Sequence, residues 1–560
     1  MPGALEHGVR LPIAAADGLL PDWLRVAGIV ALAALAALAV LSASPRRQAF
    51  ATLATLVMAP LLLVAEIWDS PQLEALRSRP ALGIGAVIVA VIALGLMGRL
   101  FARRPQAFAI AAFAALPFRV PVESGGSTSN LLLPLYVVIA AGALGWLVPR
   151  LRADPDDVST ERPSRWLEWL LIGSVALYGL QAAYSNGAAH ALEQMVFFYA
   201  PFALLFARLR CLAWTPRLLA LCFGVLVALA LGFAAIGFVE YATRHVLLNP
   251  KVIASNQIEE YFRVNSLFFD PNIYGRFLVV VLLGLTAILV WASRPRLVQA
   301  AAAGIAVLAG GLLLTLSQSS YAALLVGLTV LALMRWRARW TLLAAGSAVA
   351  VAAVLVFAAP GLIGVDVSDR ASVDDATSGR LELIDGGVRL AAERPWFGWG
   401  SGSFSTEYRS LEGASSARAT AASHTIPVTI AAEQGLVGLA VYLALMAAAL
   451  LRLLRGARAA PPRGAVAAAF VALAVHTWMY AAFLEDPMTW ALLAVGIALA
   501  PATVARRREA ERPAPRPARV RIPAGDEAAA STPADASPGG TARGRTAGSR
   551  DATPGGTAPE

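Results

Sequence analysis

The chain has 560 residues, 58% hydrophobic and 15% charged, with a positive mean hydropathy, a balance that excludes a soluble globular domain and places it in a bilayer. Its net charge of +10 does not mark a nucleic-acid binder, because the basic residues sit at the ends of apolar runs and in the C-terminal tail rather than along one aromatic-studded face. Cys211 and Cys222 fall at and inside one apolar run, where they read as small core residues, not as a disulfide or a metal pair.

Met1 to Pro21 lacks a basic stretch followed by an apolar one, so no cleavable signal peptide is expected. Apolar runs of spanning length then follow near 23–43, 48–67, 81–98, 105–118, 131–149, 166–184, 192–207, 217–239, 273–292, 297–316, 320–334, 341–359, 426–451, 464–483 and 487–504. The expected fold is all-α, a polytopic transmembrane bundle of about 12–15 spans over 23–504. The fourth and eleventh runs are short enough to be re-entrant or half spans.

Every second connection carries arginine, from Arg46 and Arg47 through Arg208 and Arg210 to Arg506, Arg507 and Arg508. Short loops rich in arginine stay cytoplasmic. The N-terminal segment 1–22 and the two longest connections, about 241–272 and about 360–425, are therefore expected outside the cytoplasm. Glu66, Asp69, Glu193, Glu240, Glu485 and Asp486 all lie at the outer ends of spans, where they read as markers of the interface. Residues 505–560 have almost no large apolar side chain and are expected to form a disordered cytoplasmic tail.

Four blocks beyond residue 260 carry residues with chemistry. The first runs from Arg263 to Arg276. Asp270 before Pro271 is a helix start in which the carboxylate caps free N–H groups, and Asn272 follows it. Arg276 lies about one turn inside an apolar span, where a charge needs a partner or a wet cavity. With Arg263 it reads either as an anion site or as a local ion pair with Glu259 or Glu260. The second block, Thr315 to Tyr321 with Ser317 and Gln318, is a polar break between two spans; it reads as the lining of a cavity or as ordinary helix packing.

The third block begins with Ser378, Gly379 and Arg380 ahead of a helical pattern, where free N–H groups and an arginine make an anion cradle. It continues to Gly398, Gly400, Gly402 and Phe404, a glycine pattern with no preceding strand, so a nucleotide loop is rejected. In the fourth, His424 stands at a span boundary, able to titrate near neutrality and take a proton from a hydroxyl, or simply to hold the boundary. Glu433, Gln434, Gly435 and Gly438 follow within the span.

In their order and spacing, with the longest loop between the last two, these blocks resemble the O-antigen ligase and polysaccharide polymerase superfamily over about residues 190–500. The resemblance implies an outward-facing cavity and a bacterial cytoplasmic-membrane glycosyltransferase. Such an enzyme moves a saccharide from an undecaprenyl-diphosphate-linked donor to an acceptor hydroxyl on a saccharide or lipid, without metal or cofactor and with no nucleic-acid partner. Arginine is the side chain that meets a diphosphate bidentately when no metal does. Arg380 is assigned to the diphosphate and His424 to the acceptor. Arg263, Asp270, Asn272, Arg276, Ser317, Gln318 and Glu433 are assigned to substrate binding. The family often has Ser-Arg where this chain has Ser317-Gln318, so one expected cation is missing. A polymerase acting on the same donor, or a transporter of lipid-linked saccharides, is the alternative.

Overall fold

In the computed structural model, the structure describes residues 20–510 apart from 67, 69–73, 75–76, 125–126, 152–165, 249–252, 254–255, 257–261, 359–379, 413–422 and 424. All fifteen apolar runs are helical. In chain order these are α1 (Asp22–Leu41), α2 (Pro45–Glu66), α3 (Pro80–Arg103), α4 (Pro105–Ala115), α5 (Leu133–Leu151) and α6 (Trp166–Gln181). Next come α7 (Ala188–Gln194), continued through a π turn (Met195–Tyr199) into α8 (Ala200–Arg210), then α9 (Pro216–Thr243), α10 (Pro271–Trp291), α11 (Pro295–Thr315), α12 (Gln318–Arg335) and α13 (Ala338–Ala358). Two short helices, α14 (Arg380–Glu393) and α15 (Phe404–Glu412), precede α16 (Ile426–Leu454), α17 (Pro461–Met479) and α18 (Pro487–Ala510).

Ten helices among the described residues are long and apolar enough to cross a membrane. Helices suit a bilayer because each satisfies its own backbone hydrogen bonds. Eight of the long elements open on proline, which has the helical φ already and no N–H to leave unpaired. One departure from an all-helical chain is a hairpin between α4 and α5, where β1 (Val120–Ser124) pairs antiparallel with β2 (Ser127–Leu131).

The candidate spans differ in depth. The segment Ala188–Cys211 is 83% buried and α10 67%, whereas Gly83–Arg103 is 11% buried. The first two are therefore the centre of the bundle, and α3 turns Ile84, Val87, Val89 and Leu96 outward, a face suited to lipid chains. α3 meets α5 backbone to backbone: a Cβ on Gly145 would stand 2.2 Å from the Gly98 carbonyl oxygen, the close approach that small residues allow in membranes.

Polar contacts sort the connections into two ends. At one end Arg25 bonds Glu66, Arg263 bonds Thr315 and Gln181 bonds Phe397 and Gln434. At the other, Arg210 bonds the Val40 carbonyl, Arg458 that of Leu333 and Arg463 that of Arg452. Each contact joins segments that the arginine alternation puts on a common side; these are called the loop end and the Arg-rich end below.

The fourth run is resolved by the same test. α4 has eleven residues, about 16 Å of helix, short of the ~30 Å hydrocarbon core. Yet Pro105 lines a pocket with Arg208 at the Arg-rich end, while Arg119 lies in electrostatic reach of Asp486 and Tyr480 at the loop end. It is a short crossing, not a re-entrant loop, and it leaves Arg119 inside the protein. The eleventh run gains a full 18-residue helix, capped by Ser317 Oγ accepting from the Ser320 N–H.

Candidate functional site

The loop end is organised around a break in α16. Gly435 sits at φ 66°, ψ −165° inside that helix, a backbone region essentially confined to glycine, and a Cβ there would fall 2.4 Å from the Trp396 carbonyl carbon. The break frees backbone groups that must be satisfied within protein. The segment 395–400 does so: Leu436 N–H donates to the Pro395 carbonyl (2.7 Å) and Val437 N–H to that of Trp396 (3.2 Å), while Trp399 and Gly400 N–H groups donate to Ala432 and Glu433 (3.0 and 2.8 Å).

The Glu433 carboxylate, 8% exposed, accepts from the Gly402 N–H (3.0 Å) and the Phe404 N–H (3.1 Å) and so caps α15. The glycine pattern 398–402 thus docks a loop onto a broken helix, and Glu433 fills the place an anion would take in a phosphate loop. From the other side Tyr184 Oη donates to the Phe397 carbonyl (2.6 Å), Ser185 Oγ to that of Ser401 (2.7 Å) and Asn186 Nδ2 to Glu407 Oε1 (2.8 Å).

Between these elements lies a cavity of about 570 Å³, within the usual size range of a small-molecule site. Its polar wall includes Asn186, His190, Gln194, Arg409, Glu433 and Glu485. His190, Glu193 and Gln194 share one face of α7 at i, i+3 and i+4. His190 Nδ1 lies 3.3 Å from Glu193 Oε2, and its Nε2 lies 3.2 Å from Gln194 Nε2. If Nδ1 carries the proton, Nε2 is the acceptor for the Gln194 amide.

Behind the cavity is a buried polar cluster. Arg276, 1% exposed, places Nη2 3.0 Å from Asp486 Oδ2 and Nη1 3.4 Å from the carbonyl of Ala482, a non-glycine residue at φ 80°. Asp270 Oδ1 caps α10 through the Asn272 N–H, and its Oδ2 accepts from Tyr480 Oη (2.8 Å). Ser317 Oγ donates to Asn272 Oδ1 (2.7 Å), and Ser319 Oγ lies 3.1 Å from His476 Nε2. Burial lowers the Arg119 pKa from its ordinary value, and Asp486 works against that shift.

Glu485 stands between cavity and cluster. Burial pushes its carboxyl from 4.5 up to about 7; Glu433 adds to the rise, while His190, Arg276 and Arg119 oppose it. A carboxyl whose pKa is raised on folding contributes stability that is fully present below its unfolded pKa and lost as pH rises through the folded value. The thermal midpoint of the detergent-solubilised protein is therefore expected to fall between pH 5 and 8, a range set by that shift. Glu485→Gln should flatten this slope; an unchanged slope would assign the pH dependence to other groups.

Of the residues singled out from sequence, Asp270, Asn272, Arg276 and Ser317 meet in the buried cluster and Glu433 lines the cavity. Gln318 is exposed at the start of α12. Arg263 donates from Nε to the Thr315 carbonyl (3.1 Å), holding the end of α11, and its backbone pairs with Asn256. The partner of Arg276 is Asp486, from the far end of the chain, and not a neighbouring glutamate; Glu259 and Glu260 lie outside the described residues.

His424 also lies outside the described residues, as do Ser378, Gly379, the segment 1–19 and most of the tail; the backbone of Arg380 opens α14. The neighbours of His424 are placed: Ser423 Oγ donates to the Thr425 carbonyl (2.8 Å) and lies 2.6 Å from Oγ1 of Thr429, which lines the cavity.

Glu66, Glu193, Glu240 and Asp486, expected as interface markers, are buried and partnered. His190, Arg119, Tyr480 and His476 join the site from outside the four sequence blocks. The histidine–glutamate–glutamine spacing on α7 and an ionisable residue inside the α17 run were the available signals. Among the described residues no group of three or more His, Cys, Asp or Glu side chains is placed to hold a metal ion.

Residues 303–443 match the family model described as O-Antigen ligase. That interval runs from within α11 to within α16 and includes the Ser317–Gln318 break, Arg380, the glycine pattern, His424 and Glu433. It is narrower than 190–500 and leaves α10 outside. No curated protein and no solved structure matches the chain.

Proposed function

We propose that this chain, whose residues 303–443 match the family model described as O-Antigen ligase, transfers a saccharide from a lipid-diphosphate-linked donor to an acceptor hydroxyl in the loop-end cavity. The supporting observation is the cavity itself. Its wall from Gly402 to Leu445 is built largely by the matched interval, and Thr429 in that wall ties down the residue preceding His424.

In this reading the acceptor oxygen attacks the anomeric carbon, the bond from that carbon to the diphosphate breaks, and His424 takes the hydroxyl proton. The departing lipid diphosphate carries the new negative charge, which arginine meets without a metal. Arg380 has this role, Arg409 adds a cation on the cavity wall, and the buried cluster around Arg276 supplies positive potential behind Glu485.

The Arg-rich end faces the cytoplasm by the positive-inside rule, so the cavity opens on the outer side of the bacterial cytoplasmic membrane and the tail is cytoplasmic. Cysteines at Ser410, exposed on α15, and Ser531, in a background lacking Cys211 and Cys222, test this with an impermeant thiol reagent. Labelling is expected at 410 in intact cells and at 531 only in opened ones; the reverse pattern would invert the assignment. The transfer itself is tested in proteoliposomes with a lipid-diphosphate-linked oligosaccharide. One added block identifies a ligase, a ladder identifies a polymerase, and donor uptake without a new glycosidic bond would point to transport.

A further inference from the structure

The turn that leads from α14 into the glycine strip carries two largely exposed aromatic side chains, Trp396 at 66% and Phe397 at 61%. Its backbone, by contrast, is fully engaged. The Pro395 and Trp396 carbonyls accept from α16 at its break. The Phe397 carbonyl accepts from Tyr184 Oη (2.6 Å) and from the Gln181 amide (3.3 Å), which also donates to the Gln434 carbonyl. The turn is thus clamped between the end of α6 and the middle of α16 while its rings stay open.

The two clamping helices set its depth. From Gly435 to Arg452, in the last turn of α16 at the Arg-rich end, the helix rises about 25 Å. From Trp166, which opens α6 beside Arg165 in the sequence, to Gln181, it rises about 22 Å. Both rises fall short of the ~30 Å hydrocarbon core, and any tilt shortens them further along the membrane normal. Measured from the Arg-rich boundary, the turn therefore stops inside the opposite edge of the core. Leu180, Leu436 and Leu443 on the same two helices are exposed as well. Just before the turn, Glu393 and Arg394 are exposed, with Arg394 stacked on Trp399 (3.8 Å). Charge gives way to aromatic rings within a few residues, as at a membrane–water boundary.

We infer that Trp396 and Phe397 insert among the lipids of the leaflet at the loop end, so that this turn anchors in the membrane a connection whose sequence places it outside. Irregular backbone is tolerated at that depth only when protein satisfies it, which is what Gln181, Tyr184 and the α16 break do. The occupant is bulk phospholipid, because the turn continues the outward apolar surface of two helices that the bilayer already covers. The strip runs on to Gly402 and Phe404 in the wall of the loop-end cavity. The anchor therefore holds that wall at a fixed depth, whatever reaction occurs there.

The test uses the full chain lacking Cys211 and Cys222, with one cysteine supplied by Trp396→Cys, Phe397→Cys, Leu180→Cys or Ser410→Cys. Each is spin-labelled in vesicles of phosphatidylethanolamine and phosphatidylglycerol that contain no polyprenyl lipid. Collisions with oxygen, which concentrates among acyl chains, are compared with collisions with a water-soluble nickel chelate. Labels at 396 and 397 are expected to follow 180, with an oxygen-to-nickel ratio several-fold above that at 410. A ratio like that at 410 would put the turn in water. A label reached by neither reagent would put it under protein, either a second copy or another part of this chain. Each of these results overturns the lipid assignment. Without any label, Phe397→Asp should lower the unfolding midpoint in the same vesicles while Phe397→Leu keeps it, and equal midpoints for the two would also overturn the assignment.

Discussion

Replacing His424 with alanine is expected to lower saccharide transfer by about a hundredfold to ten-thousandfold, the range typical of general-base assistance, while leaving the protein inserted and folded. The fold should survive because the anchors placed on either side of position 424 come from other residues. Ser423 holds the Thr425 carbonyl and Thr429, and α16 begins beyond them at Ile426. Donor binding should also survive, since arginines hold the diphosphate. Arg380→Lys provides the contrast, keeping the charge but losing the planar fork, so it should impair use of the diphosphate donor. If the imidazole orients the acceptor instead of taking its proton, His424→Gln recovers part of the activity and the pH profile keeps its shape. The measurement is turnover at saturating acceptor across pH in proteoliposomes. Wild-type turnover with an unchanged profile in His424→Ala would reduce this residue to a boundary marker.

The bundle was readable because its determinants are local. Run length decides whether a helix can span, proline decides where it starts, and arginine decides which connections share a side. All fifteen runs are helices for these reasons, and polar contacts such as Arg210 to Val40 and Arg263 to Thr315 respect the sides. Gly435 shows where local reading stops. Its sequence context is that of an apolar helix, but the break depends on a backbone strip forty residues earlier that supplies the missing hydrogen bonds. The strip, in turn, has a glycine pattern whose purpose is invisible until Glu433 is seen on its N–H groups.

The site was legible in the same uneven way. A carboxylate before proline announces a cap, and Asp270 is one. The need of Arg276 for a partner follows from its depth, but the partner's identity is a tertiary fact. Asp486 had the same Asp-Pro start and the same membrane-edge position as an ordinary interface residue. Glu485 beside it stands at the same membrane edge, yet one carboxylate pairs with Arg276 and the other opens into the cavity. The family match, confined to 303–443, leaves this Arg276–Asp486 contact to be judged on its physics alone.

That judgement is available from a pair of substitutions. Asp486→Asn is expected to destabilise the protein by about 3–5 kcal/mol, the usual result of leaving one member of a buried ion pair uncompensated. The effect isolates charge because asparagine still caps a helix, so the acceptance from the Met488 N–H (2.9 Å) by Oδ1 can persist. The cost should be at the upper end, since Arg119 then repels Arg276 without the shared carboxylate between them. Adding Arg276→Met to Asp486→Asn removes the stranded charge and should return most of the lost stability, measured as the unfolding midpoint in detergent. Transfer activity separates the two roles of Arg276. If the pair only locks α10 to the turn before α18, the double variant regains turnover along with its fold. If Arg276 supplies potential to the diphosphate, the double variant folds and stays slow. The second outcome is expected, because Arg276 acts electrostatically on Glu485, which lines the cavity.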